Sequence, residues 1–118
     1  MRLRVSNQTR NRILADRADI ADDSKKRRTG LLKHSSLEPG EGLWIAPCEG
    51  VHTFGMKFPI DVVFLNRKKK ILKIRPNMVK RRISFSILAH SVLELPAGTL
   101  EKTQTAAGDQ LEFEKYEA

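Results

Sequence analysis

Val62-Val63-Phe64-Leu65 is an unbroken apolar run, in a segment that begins Ile60-Asp61. Apolar side chains at both odd and even positions predict a strand over 60–65 that is central in its sheet and covered on both faces. Residues 66–70 are polar, and beyond them Leu72 and Ile74 alternate with Lys73 and Arg75, so 71–75 is the return strand of a hairpin. The same period of two marks 2–6, where Leu3 and Val5 alternate with Arg2 and Arg4. Shorter apolar pieces predict strands over 12–15, 43–45, 91–95 and 111–115. Ile83, Phe85 and Ile87 alternate with Ser84 and Ser86, the pattern of an edge strand or an extended loop. A short helix starts at Asp22-Asp23-Ser24, whose side chains can accept from free first-turn amides, and stops at Gly30 behind a run of cations. A second covers 97–105 with Leu100 inward. Segments 38–42 and 108–109 are turns, and Leu31, Leu32 and Leu37 are apolar anchors around His34. Many short strands, two short helices and short connections predict a mainly β (α+β) fold: a compact, mainly antiparallel β-barrel or sandwich with helices plugging its ends.

With 118 residues, the chain is read as a single domain, 1–118, with one real hydrophobic core. A hydrophobic content of 40% and a charged content of 31% fit a globular protein and exclude a disordered one. No run approaches the ~20 apolar residues that span a bilayer, so no membrane partner is expected. The basic start Met1-Arg2-Leu3-Arg4 has no apolar stretch behind it, and the expected location is cytoplasmic. One cysteine cannot form an internal disulfide, in keeping with a reducing compartment. The net charge of +8 attracts polyanions. Aromatic content of 6% offers few stacking platforms, so nucleic acid is not expected as the main partner.

Several segments then combine into a recognisable order. Thr29-Gly30-Leu31-Leu32 and Gly42-Leu43-Trp44-Ile45 come first, followed by Cys48-Glu49-Gly50-Val51-His52-Thr53-Phe54-Gly55-Met56-Lys57-Phe58-Pro59-Ile60-Asp61-Val62-Val63-Phe64-Leu65. Val92-Leu93-Glu94-Leu95-Pro96-Ala97-Gly98-Thr99 and Gly108-Asp109 lie downstream. In this order and spacing the chain resembles the family called domain of unknown function 192, from about residue 10 to about 115. The resemblance implies a small mainly-β domain found widely in bacteria and archaea, with no established biochemical activity. It departs from the family pattern at the hairpin tip, which lacks the glycine often seen there. Many family members carry a secretion signal; none is read here, so a periplasmic role is not implied.

The stretch 47–65 holds the only Cys, one of three His and one of three Met, and it leads from an irregular loop into the best strand. A site is therefore expected around 48–61. The preferred reading is a polar pocket in which His52, Thr53, Lys57 and Asp61 present donors and acceptors beside Met56 and a floor of Trp44, Phe54 and Phe58. Asp61 has two readings. A carboxylate in a strand buried on both faces must be paired or hydrogen-bonded, so it either caps the loop, accepting from amides between His52 and Gly55, or touches a ligand or partner. A rival reading takes Cys48, His52 and Met56, spaced C-x3-H-x3-M, as a copper-type ligand set; such a site needs a second His from upstream, for which His34 is the only candidate, since His90 lies downstream. Against it, Met56 beside Phe54 and Phe58 can simply fill core space. Zinc fits less well, because no Cys pair exists. Cys48 as nucleophile, with His52 or His90 as base and Asp61 as orienter, has the residue types but no accompanying signature. A last alternative is weak polyanion or nucleic-acid contact through Lys68, Lys69, Lys70, Lys80, Arg81 and Arg82. Those cations are equally explained as a solvated hairpin tip and protected strand ends. The sequence thus points to a non-enzymatic binding or accessory module that takes a small ligand or protein partner and needs no cofactor.

Overall fold

The computed structural model describes residues 1–32 and 34–117. The elements run β1 (Arg2–Asn7), β2 (Arg12–Ala21), α1 (Ser24–Thr29), β3 (Glu41–Ile45), β4 (Gly50–His52), β5 (Ile60–Leu65), β6 (Ile71–Met78), β7 (Ile83–Phe85), β8 (Ser91–Pro96), α2 (Thr99–Thr103) and β9 (Leu111–Tyr116). Seven strands form one sheet in the order β6-β5-β8-β3-β2-β1-β9, and β4 pairs with β7 in a separate ribbon. Every pair is antiparallel except β2 and β3, which run parallel.

Strand β5 is buried at all six positions, as its two-faced apolar pattern requires. Val63 and Leu65 enter one core cluster with Leu3, Val5, Leu93 and Leu95; Leu100 from α2 and Leu111 from β9 complete that cluster. Ile60, Val62 and Phe64 enter a second cluster with Leu31, Leu43, Ile45, Met56, Met78 and Val92. The first cluster draws side chains from strands at both ends of the sheet, so the sheet curls around it. The edges meet at one end only, where Lys70 bridges Gln110 and the Leu111 amide donates to the Lys69 carbonyl at 2.9 Å. The sheet is not closed into a barrel along its length; the architecture is sandwich-like.

Local chemistry explains most boundaries. Asp23 caps α1, its Oδ1 accepting from the Lys26 amide at 2.8 Å, and Gly30 ends the helix at φ 50°. Helix α1 buries none of its own residues, so it lies over the second cluster without plugging a barrel end, whereas α2 buries Leu100 and Thr103. Strand β2 extends to Ala21, well beyond 15. Its inward residues after Leu14 are Ala15, Ala18 and Ala21, small side chains with little strand preference, and shifts in its register against β1 break the period of two. Strand β6 runs through Pro76, which an edge strand tolerates because it has no inner ladder bond to lose. At the hairpin tip, Lys69 takes the left-handed conformation at φ 67° that a glycine would otherwise supply. Asn66 Oδ1 accepts from the amides of Lys68 and Lys70, at 3.0 and 2.9 Å.

Asp61 is a builder of the fold. It is fully buried on the first face, and its carboxylate accepts from the Asn77 amide through Oδ1 and from the Leu100 amide through Oδ2, both at 2.8 Å. A register shift between Ile60 and Val62 turns the Asn77 amide inward. Gly98, the cap of α2, offers no side-chain acceptor, so Asp61 caps that helix from the neighbouring strand. Its partners are therefore not the amides of 52–55. Asp61→Ala strands two amides beside the core and is expected to cost about 3 kcal/mol. Denaturant unfolding measures it; a loss under about 1 kcal/mol would contradict this role.

Candidate functional site

The second cluster is covered by a patchwork: α1, the segment 46–59 and the β4–β7 ribbon. Segment 46–59 leaves β3 through a cis peptide between Ala46 and Pro47, and the Cys48 amide donates to the His90 carbonyl at 2.9 Å. Thr53 pins its middle. The hydroxyl donates to the Val79 carbonyl at 2.5 Å and accepts from the Arg82 amide at 2.7 Å. Gly55 at φ 83° turns the chain so that Met56 points into the second cluster.

A cavity of about 90 Å³ remains between this cover and the sheet. Leu31, Ile45 and Met56 supply apolar wall; Cys48, His52, Arg27, Arg28 and Glu94 supply the polar groups. Glu94 is the residue that makes the cavity unusual. On β8, Leu93 and Leu95 face the first cluster, so Glu94 shares the second face with Val92. It is 5% exposed, and no described residue donates to its carboxyl or pairs with it. Burial alone pushes the Glu94 carboxyl up to about 7. Such a group was detectable in principle: a carboxylate between two inward leucines of a buried strand raises the same question as Asp61.

The expected site residues divide. Cys48, His52 and Met56 line this cavity together. His52 is exposed at the end of β4, its ring 5.8 Å from that of Phe54. Thr53 is buried and committed to the cover, and Lys57 is exposed. Phe58 packs on the second cluster, while Phe54 is largely solvent-facing. Trp44 and Asp61 do not join them. Trp44 packs on the first cluster, edge-on to Phe113 with ring centres 5.2 Å apart, because neighbours in a strand point to opposite faces. The expected floor of Trp44, Phe54 and Phe58 is therefore replaced by Leu31, Ile45 and Met56.

The chemistry of Cys48 is that of a protonated thiol. Burial pushes it up, a backbone hydrogen bond at Gly50 opposes this, Glu94 raises it again and Arg27 lowers it. A raised thiol is the opposite of an activated nucleophile. No hydrogen bond joins it to His52 or His90 among the described residues, and its proposed orienter Asp61 faces the other cluster. No group of three or more His, Cys, Asp or Glu among those residues is disposed to hold a metal. His34 is exposed, and His90 lines a separate surface recess with Arg67. Of the hairpin cations, Lys68 and Lys70 are exposed, but Lys69 folds back, its Nζ 5.0 Å from the centre of Trp44 and 5.3 Å from that of Phe113. Lys80, Arg81 and Arg82 are exposed beside the ribbon. No helix among the described residues is long and apolar enough to cross a membrane.

A family model, DUF192 (Uncharacterized ACR), matches residues 5–113, and the chain belongs to that family. A UPF0127 protein of Thermococcus sibiricus (strain DSM 12597 / MM 739) is 26% identical over 116 residues, covering 94% of this chain and 75% of the relative. Two crystal structures share the fold. A protein of unknown function from Novosphingobium aromaticivorans DSM 12444 has a TM-score of 0.81 at 21% identity, covering 93% of this chain and 82% of that one. A protein from Sinorhizobium meliloti 1021, described as a proposed transcription regulator, has a TM-score of 0.82 at 25% identity, covering 94% and 91%.

Glu94 ties stability to pH. Its folded pKa of about 7 lies above the ordinary 4.5, so ionisation is easier in the unfolded chain. Stability is fully retained below about 4.5 and falls as pH rises through about 7, by about 3 kcal/mol in all. Unfolding of the native protein and Glu94→Gln across pH 4–8.5 isolates this group. The difference between the two curves should open over that window, and parallel curves would contradict the burial.

Proposed function

We propose that the protein is a non-enzymatic binding module whose small ligand occupies the cavity between α1 and segment 46–59 and donates a hydrogen bond to Glu94. The observation that carries this reading is the buried carboxyl that no described residue serves. A carboxyl on a nearly buried side chain is expensive to ionise, and a sheet this apolar could seat a leucine there at no such cost. A perturbed acid in a cleft is a functional-site candidate on physical grounds. The cavity also brings in Cys48, His52 and Met56 from the segment where the sequence concentrates its rare side chains. The protonated state of Cys48 favours binding over covalent catalysis.

A thermal-shift panel at fixed low salt tests this reading, with amino acids, amines, sugars, nucleotides, copper and other divalent metals, and short nucleic acids. A ligand at about 100 times its Kd adds about 2.7 kcal/mol of stability, readily visible in a domain of this size. The expected outcome is a selective rise for one class that is lost in Glu94→Leu, while the same substitution raises the melting temperature of the ligand-free protein by several degrees. A rise with copper alone, lost in Cys48→Ser, would replace this reading with the metal one. A rise with nucleic acid alone that fades steeply with salt would replace it with polyanion binding. A flat panel, or a rise indifferent to Glu94, would overturn it.

A further inference from the structure

We infer that the ligand of this cavity is a short zwitterion, its ammonium group set on Glu94 and its anionic group on Arg27. The inference rests on the reading of the cavity as a ligand site and adds the ligand's chemical class. Both charges line one small space, and neither has an ionic partner among the described residues. The half-buried Arg27 guanidinium donates only to the Asp22 carbonyl, at 3.2 Å, so it retains donors for a ligand. Cys48 lines the same space, and its thiol is influenced by both groups. Apolar wall from Leu31, Ile45 and Met56 lies alongside the two charges.

That arrangement selects against singly charged ligands. A simple amine leaves Arg27 unanswered, and a simple carboxylate that binds Arg27 has nothing to offer Glu94. A molecule with an ammonium at one end, a few methylene groups and a carboxylate at the other answers both charges. Its size follows from the space. A water's share of liquid volume is about 30 Å³, so a cavity of about 90 Å³ has room for roughly three waters and admits only a short ligand.

Calorimetric titration at pH 8 with β-alanine, γ-aminobutyrate, propylamine and butyrate decides the class. The two zwitterions should bind more than about tenfold tighter than propylamine or butyrate, and Glu94→Gln and Arg27→Gln should each weaken them by at least about tenfold. Binding should also tighten from pH 6 to pH 8, because the carboxylate form of Glu94 is the one that holds an ammonium. Arg27 is on a helix that buries none of its side chains, so its variant keeps the fold and the test stands even if Glu94→Gln unfolds. Equal binding of propylamine and β-alanine, with Arg27→Gln neutral, would overturn the two-ended ligand and leave the cavity reading intact. So would failure of both zwitterions while another compound of the thermal-shift panel binds in a Glu94-dependent way. If no compound binds in that way, both readings fall.

Discussion

Strand β5 has no solvent face, and each layer of the molecule answers to that. Burying both faces of a strand requires two covers, and a chain of this length builds them in different ways. On one side the sheet curls so that residues from β1, β2, β8 and β9 meet Val63 and Leu65. That cover is made by the same hydrogen-bonded sheet it protects, so it is continuous. A fully buried Leu, Ile, Val or Phe contributes about 1.5–3 kcal/mol, and the first cluster is built almost wholly of such residues.

The second cover has no such continuity. It is assembled from a helix of six residues, a two-stranded ribbon and an irregular segment. What pins it is polar: Thr53 clasping Val79 and Arg82, and the Cys48 amide on the His90 carbonyl. Helix α1 contributes no buried side chain, and Leu31 just beyond it does the packing. A cover of pieces leaves gaps where pieces meet, and the cavity lies at such a junction. The parts of the molecule with the least apolar glue are thus the parts around the candidate site, which is where local opening is least costly.

Much of the fold was legible from pattern. Strand β5, the β5–β6 hairpin, both helices and the strands at 2–6, 91–95 and 111–115 follow from alternation, caps and turn residues, because those signals are local. The parallel pairing of β2 with β3 was not, since direction depends on where the chain goes between them. The length of β2 was hidden by alanines and register shifts. The site was half legible. Clustering of rare side chains points to segment 48–61, of which Cys48, His52 and Met56 line the cavity; strict alternation in β3, with Leu43 and Ile45 on the second face, sends Trp44 to the first. Glu94 was visible as a letter in Leu93-Glu94-Leu95; its meaning needed knowledge that no donor reaches it, which depends on all the elements packed around β8.

The two buried carboxylates of the central sheet make the physical point most sharply. Asp61 pairs with Leu95 and Val62 with Glu94 across the β5–β8 ladder, so the acids are near neighbours on opposite faces. Each is in a strand buried on both sides, and each is costly to desolvate. Asp61 is answered by two amides, one from β6 at its register shift and one from a helix start, and it thereby joins β5, β6 and α2. Glu94 is answered by nothing in the described chain. Residue type, burial and strand context are nearly the same for both, and only the inventory of donors separates them. A carboxylate whose partners are all in place is structure; one that keeps its acceptors open toward a cavity leaves a hydrogen bond for something outside the chain to make.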